Sequence, residues 1–391
     1  MKIVFTGGGT GGHFYPIIAV AEAVQKIVVE ERLLPPTMYY IAPVPYDEQA
    51  LFENNVQFIA CPAGKLRRYF SVKNFTDFFV TLSGFIRAFF TLLKIYPDVV
   101  FSKGGYASVP TVLAAHLLRI PIIIHESDSK PGKANLLAAK YAYRIAVTFN
   151  SSIPMFPPKT RENIARTGIP IRAALATPLP QGAAQELGLD TTVPTIFILG
   201  GSTGSKKINE VVLQALPGLV SFANVIHQTG KDNFVEAEGT AKVVLGSSEH
   251  ANRYHVFPFL GRDAMRMAAG AASLVISRAG ATSITEISLW HKPSILIPIP
   301  ESVSHDQRTN AYAYAHTGAA VVLEEHNMTP HIFASEARRI LGDQNVWQTM
   351  ANNTMSFANA DAAALIATEL IRIGKSHNPT EAATAAAQTP V

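Results

Sequence analysis

The sequence predicts an α/β protein made of two parallel-sheet domains in tandem. Short apolar runs alternate with helix-like stretches along most of the chain, the pattern that parallel strands and crossover helices produce. A length of 391 residues exceeds what a single hydrophobic core usually organises. The alternation pauses once, from Pro154 to Pro180 (FPPK, GIPIR, TPLP), and then restarts, as expected at a domain boundary.

The first series opens with the strand KIVF, a glycine-rich turn and a helix expected from about Tyr15. MYYIA, PDVVFSK and IPIIIHE follow, each short and rich in the β-branched and aromatic residues that suit buried strands. The second series starts at TIFILGGSTGS and continues through NVIHQTG, YHVFPFL, SLVIS, SILIP and AVVL. This places an N-terminal domain at 1–165 and a C-terminal domain at 166–358, both Rossmann-like, with a last helix at 359–374 that could pack on either. The remainder, 375–391, is small, polar and punctuated by proline. It lacks the apolar content to offset ordering entropy and is expected to be disordered.

Cys61 is the single cysteine, so no internal disulfide can form, and a free thiol fits a reducing compartment. The start, MKIVFTGGGTGG, meets glycine after a three-residue apolar run and reads as neither a signal peptide nor a spanning helix. The formal net charge of +4 suits an anionic partner such as a phosphate-bearing ligand or an acidic membrane surface, and is too mild to imply nucleic acid. From Lys65 to Lys94 there are six basic residues and one acid, Asp77. Within that segment Phe78, Phe79, Leu82, Phe85, Ile86 and Phe89 keep helical spacing, with Phe90, Leu92 and Leu93 widening the apolar face. Asp77 and Arg87 interrupt the run, which argues for a helix lying in the interface rather than spanning it. Lys65, Arg67, Arg68, Lys73 and Lys94 flank it and would attract anionic head groups by about 1 kcal/mol each. The alternative is an ordinary core-facing helix of the first sheet.

Three turns have the chemistry of a diphosphate site. Gly7-Gly8-Gly9-Thr10-Gly11-Gly12-His13 follows a strand and opens a helix, where backbone amides and the positive dipole end meet an anion. A nicotinamide dinucleotide fold would want an acid at the end of the second strand, and here that strand ends Ile41-Ala42-Pro43. Gly200-Gly201-Ser202-Thr203-Gly204-Ser205 repeats the arrangement in the second series, so the two turns are expected to face a cleft between domains. Ser277-Arg278-Ala279-Gly280-Ala281-Thr282-Ser283 is the third, and Glu286 one turn later could accept hydrogen bonds from a ribose diol. The plainer reading of that turn is a helix cap followed by a solvated glutamate.

Taken together, GGGTGGH, SKGGYASVP (Ser102 to Pro110), IPIIIHE (Ile120 to Glu126), GGSTGS and RAGATSITE, in this order and spacing, resemble the MurG family of peptidoglycan glycosyltransferases from Met1 to about Ile373. The resemblance implies a two-domain GT-B fold. It also implies inverting transfer of N-acetylglucosamine from UDP-N-acetylglucosamine to the C4 hydroxyl of N-acetylmuramic acid in lipid I, giving lipid II, at the cytoplasmic face of the cell membrane as a peripheral protein. Neither a cofactor nor a bound metal is implied, and no D-x-D triplet is found. By motif matching, Thr10, Gly11 and Gly12 resemble donor-sugar contacts, Arg172 and Ser202 donor contacts, and Leu260 the apolar residue against the uracil. Ala281, Thr282, Ser283, Ile284, Thr285 and Glu286 match the nucleotide-binding helix start, and Gln307 a donor-contacting glutamine. The family usually reads His-Glu-Gln-Asn where this chain reads His125-Glu126-Ser127-Asp128. Asp128 thus replaces an amide that contacts the donor sugar, losing the amide's donors while keeping acceptors.

The transfer needs a base. His13, closing the first turn, is the candidate, and Glu126 and Asp128 are its rivals. Other readings in view are a transferase acting on another glycolipid such as a diacylglycerol, and a UDP-N-acetylglucosamine epimerase that would need no acceptor.

Overall fold

A computed structural model of the chain describes residues 1–65, 73–201, 204–301 and 305–377. It divides into two compact units: Met1–Arg172 together with the segment from Asn359 onward, and Ala173–Ala358.

The first unit is built on seven strands: β1 (Lys2–Thr6), β2 (Thr37–Ala42), β3 (Val56–Ala60), β4 (Val99–Ser102), β5 (Ile122–Glu126), β6 (Arg144–Val147) and β7 (Ile164–Arg166). They pair in the order β3-β2-β1-β4-β5-β6-β7, every pair parallel. Ile3, Val4 and Phe5 of β1 and Val99, Val100 and Phe101 of β4 are fully buried, as a sheet covered on both faces requires. The chain winds outward from β1 to β3 and then returns to place β4 on the other side of β1. At such a reversal the loops leaving the carboxyl ends of two adjacent strands diverge and open a crevice. Those loops are the first glycine turn, after β1, and Lys103-Gly104-Gly105, after β4.

The second unit repeats the plan with β8 (Thr195–Leu199), β9 (Asn224–Gln228), β10 (Tyr254–Phe257), β11 (Leu274–Arg278), β12 (Ser294–Ile297) and β13 (Ala320–Val322). The order is β10-β9-β8-β11-β12-β13, again all parallel. Its reversal lies between β8 and β11, so the second and third turns of the sequence leave neighbouring strand ends.

Three strands escape the sequence reading. β3 has the exposed Gln57 as its second residue, β6 is four residues beginning on Arg144, and β7 is three residues inside the proline-rich stretch. Pairing with a neighbouring strand, not local pattern, makes each of them. A boundary at 165/166 would cut β7, and the first unit in fact continues through Arg172. The first helix starts at Gly11, earlier than Tyr15, because Thr10 can stand as its N-terminal flank, its carbonyl accepting from the His13 and Phe14 amides.

The last helix, Ala362–His377, belongs to the first unit. Ile366, Ala367, Leu370, Ile371 and Ile373 complete a core with Ile17, Val20, Ala21 and Val24 of the Gly11–Glu30 helix. Arg144 Nε, at the start of β6, pairs with Glu369 Oε1 of this helix at 3.1 Å. The tail expected to be disordered lies outside the described residues from 378 onward.

The Lys73–Ile95 helix has two faces. Ala88 and Leu92 are buried with Val112 and Ala115 of the Val109–Leu117 helix. A Cβ on Gly84 would stand 1.8 Å from the Pro62 carbonyl oxygen, so glycine is what lets this face close on the protein. On the other side Phe75, Phe78, Phe79, Leu82, Ile86, Phe90 and Leu93 are exposed. By length and composition alone Phe75–Ile95 could cross a membrane; its packed face makes it part of the folded unit.

Candidate active site

In the first unit the crevice between β1 and β4 is lined by backbone and by a group of charged side chains. Gly7, Gly8 and Gly9 all have positive φ, and the buried Tyr40 hydroxyl pins the turn by donating to the Gly7 carbonyl at 2.6 Å. Thr10, Gly11 and Gly12 then stand at the helix N-terminus, where the first amides have no intrahelical acceptor and the dipole is positive. Thr10 and Gly12 are exposed and Gly11 partly so. This is an anion- or sugar-ready edge.

His13 Nδ1 is paired with Thr10 Oγ1 at 2.9 Å. That contact orients the ring, and in the tautomer whose Nδ1–H donates to Thr10 Oγ1 it leaves Nε2 as the nitrogen that can accept a proton. Gly105 lies against it: a Cβ there would come within 3.7 Å of Nε2 and 2.8 Å of the Gly8 carbonyl oxygen, at φ +77°. Only glycine brings the two turns this close. Desolvation, with the Lys103 ammonium second, lowers the His13 pKa to about 4. The imidazole is therefore neutral at pH 7 and can accept a proton.

Glu126 and Asp128 separate sharply in the structure. Glu126 is buried, and its carboxylate accepts from the Asp128 amide at 2.9 Å, the Gly132 amide at 3.0 Å and Asn135 Nδ2 at 2.9 Å. Three donors occupy it as the organiser of the loop after β5, which weakens its case as the base. Asp128 remains partly exposed at the same strand end. His125 is fully buried and neutral, pushed well below the usual range first by desolvation and then by Lys103, with Nε2 bonded to the Gly168 carbonyl at 2.8 Å.

Arg172 comes to the same unit. Its guanidinium stacks over the Tyr15 ring, 4.4 Å from the centroid, beside the first turn of the Gly11–Glu30 helix. Its Nε is buried without a hydrogen-bond partner among the described residues.

In the second unit the turn after β8 is pinned rather than free. Ser205 caps the Lys206–Val220 helix, accepting from the Ile208 amide at 3.4 Å and from Arg278 Nη2 at 2.7 Å. Arg278 also reaches the Ile297 and Pro298 carbonyls and the Glu325 carboxylate, tying the ends of β11 and β12 to the turn after β8. A Cβ on Gly204 would lie 1.9 Å from the Thr229 carbonyl oxygen, at φ +80°. Ser202 lies outside the described residues. Gln228 links the neighbouring loops, its Oε1 accepting from the Leu260 amide at 3.0 Å. Leu260 is buried, and Phe259 beside it is exposed.

The third turn opens the Ala281–Leu289 helix, whose first turn carries no acid. Thr282, Ser283 and Glu286 are partly exposed. Ala281, Ile284 and Thr285 are buried, with the Ile284 amide donating to the Gly280 carbonyl and the Thr285 hydroxyl to the Ala281 carbonyl. Ligand-facing chemistry here thus belongs to the amides and hydroxyls of the first turn, ahead of Ile284. Gln307 Oε1 accepts from the Ile299 amide at 3.2 Å and so shapes the loop after β12. Among the described residues no group of three His, Cys, Asp or Glu side chains is placed to hold a metal ion.

Sequence reasoning missed Lys103, Tyr40 and Asn135. Lys103 lies within SKGGYASVP, and its one signal is a charge at the end of the short buried strand Val99–Ser102. Tyr40 acts on the Gly7 carbonyl from the neighbouring strand, and Asn135 on Glu126 from the helix that follows the β5 loop; neither contact has a signal in the local pattern.

Two parallel α/β units, each presenting glycine or hydroxyl turns at its switch point, have the architecture of enzymes that bind nucleotide sugars, and the family matches make this one a glycosyltransferase. The chain matches the glycosyltransferase family 28 N-terminal domain over residues 3–147 and the family 28 C-terminal domain over residues 195–366. It belongs to the MurG family of UDP-N-acetylglucosamine--N-acetylmuramyl-(pentapeptide) pyrophosphoryl-undecaprenol N-acetylglucosamine transferases. The member from Treponema denticola is 36% identical, covering 94% of both chains, and that from Clostridium botulinum strain Hall is 35% identical, covering 95% of this chain and 98% of the relative. Among solved structures, Acinetobacter baumannii MurG superposes with a TM-score of 0.72 at 23% identity, covering 95% of this chain and 99% of that one. A UDP-GlcNAc 2-epimerase from Neisseria meningitidis shares the fold at a TM-score of 0.64 and 13% identity, covering 95% of this chain and all of that one.

Proposed function

We infer that the protein transfers N-acetylglucosamine from UDP-N-acetylglucosamine to the C4 hydroxyl of N-acetylmuramic acid in lipid I, forming lipid II. The observation that carries this reading is the match, over 94% or more of both chains, to transferases named for that reaction. The acceptor oxygen attacks the anomeric carbon, the bond from that carbon to the UDP oxygen breaks, and UDP leaves with the electron pair. His13 Nε2 takes the hydroxyl proton. An incoming diphosphate would favour the imidazolium that results.

The second unit supports UDP binding through the first-turn amides and hydroxyls of the Ala281–Leu289 helix, with Glu286 one turn on as a ribose acceptor. The first unit supports sugar binding through Thr10, Gly11, Gly12, Asp128 and Arg172. Residence at the cytoplasmic face of the membrane is supported by the exposed apolar face of the Lys73–Ile95 helix, with exposed Arg87 and Lys94 beside it. Arg67 and Arg68 lie outside the described residues, as does the side chain of Lys73.

The test is incubation with UDP-N-acetylglucosamine and a lipid I analogue, following UDP and the disaccharide lipid. Disaccharide is expected, and His13→Ala is expected to lower transfer by about 10²–10⁴-fold with donor binding retained. Conversion of the donor without acceptor would favour the epimerase reading instead, and donor binding with no product on lipid I would point to another glycolipid.

A further inference from the structure

Lys103 is 1% exposed, and a buried ammonium persists only where polar and charged partners offset its lost hydration. It leaves the carboxyl end of β4 at the switch point of the first sheet, so close to the glycine turn that a Cβ on Gly7 would stand 2.9 Å from its own Cβ. Its Nζ donates to Ser127 Oγ, a neutral group that provides no counter-charge. Ser127 is flanked by Glu126 and Asp128, the two carboxylates that favour the charged lysine, while burial brings its pKa down to about 8. Glu126 already serves three loop donors. Asp128 is the partly exposed one. A carboxylate in that position would repel a ligand carrying a diphosphate unless a cation stood beside it.

We propose that Lys103 is a positioning residue of the transfer reaction that works as a unit with Asp128: anchored on the Ser127 hydroxyl, its ammonium neutralises the Asp128 carboxylate so that this side chain can accept hydroxyls of the bound sugar. The proposal rests on the reading of this unit as the sugar-binding half of a UDP-N-acetylglucosamine transferase. It makes Asp128 useful only in the presence of Lys103, and makes the charge at 128 the chief reason that loss of Lys103 is harmful.

The experiment is a double-mutant cycle on the full chain with Lys103→Met, Asp128→Asn and the pair together, measuring kcat and KM for UDP-N-acetylglucosamine with a lipid I analogue, and folding by circular dichroism. Lys103→Met is expected to raise the donor KM by about tenfold or more with a smaller change in kcat, the split expected for a binding contact. Adding Asp128→Asn is expected to bring KM back to within about threefold of Asp128→Asn alone. A double variant no better than Lys103→Met overturns the proposal, since the harm then does not arise from the charge at 128. Should Lys103→Met fail to fold, recovery of folding in the double variant supports the pairing, and failure of both with Asp128→Asn folded overturns it. The unaltered protein separates this from the wider reading: if it binds donor without transferring, the cycle is read from the donor Kd, and if it binds no donor, both readings fall.

Discussion

His125 and His227 show what burial does to a titratable residue here. Both are fully buried. Desolvation is the first cause in each case, holding His125 well below the usual range and His227 down to about 3. His227 is held by Asn209 Oδ1 and the Tyr254 hydroxyl, each at 3.0 Å. Because the folded pKa values are depressed, the unfolded chain binds protons that the native state refuses as pH falls below about 6.5. Stability is fully present above that pH and declines toward pH 4, by up to about 1.4 kcal/mol per pH unit for each histidine. Urea unfolding at pH 7, 6 and 5 measures it. His227→Gln is expected to flatten the slope by about one proton, and an unchanged slope would remove His227 from the account. At this scale the sequence put His13 forward as the base, with Glu126 and Asp128 as its rivals. The structure adds the partners that separate them: Asn135 and Gly132 fold back to occupy Glu126, and Thr10 orients His13. Helical and strand periodicity carry no information about which donors fold back onto a carboxylate.

At the scale of elements, the Lys73–Ile95 helix divides its apolar residues between two surroundings. The sequence showed a wide apolar face, and could not say which part was covered. Packing around Gly84, Ala88 and Leu92 uses one face, which leaves a row of aromatic side chains outward, with Phe78 64% and Phe90 63% exposed. An exposed apolar area of this kind marks an interaction surface, and flanking basic residues suit an anionic bilayer. Replacing Phe78, Phe79 and Phe90 together with serine is expected to lower affinity for vesicles containing anionic lipid by at least about tenfold, with the UDP-N-acetylglucosamine Kd unchanged. Vesicle sedimentation beside calorimetry reads both. Equal vesicle binding by the triple variant would show that the membrane contact is elsewhere. The Ala281–Leu289 helix gives the matching lesson about motifs: the match ran through Glu286, and folding sends Ile284 and Thr285 inward while Thr282, Ser283 and Glu286 stay accessible.

Across the whole molecule, chain order and spatial order part company at the C-terminus. The Ala362–His377 helix follows the second unit in sequence and completes the core of the first. Leu370 is fully buried there, so Leu370→Ala is expected to cost about 2–5 kcal/mol, read as a lower urea midpoint by far-UV circular dichroism. A loss under about 0.5 kcal/mol would mean that this helix is not an integral part of the core. Ending the first unit at residue 172 would likewise leave Ile17, Val20 and Val24 without their cover.

The sequence by itself determined the two parallel α/β series, the placing of three glycine or hydroxyl turns after strands, and the family. Each is written locally, in apolar runs of strand length and in glycines whose backbone freedom no other residue supplies. Tertiary structure alone decided that β7 and the final helix belong to the first unit, that Glu126 organises a loop, and that Lys103 is buried beside Ser127. Those outcomes depend on burial and on hydrogen-bond partners up to hundreds of residues apart in sequence, and a one-dimensional pattern cannot encode which distant group removes water from a charge.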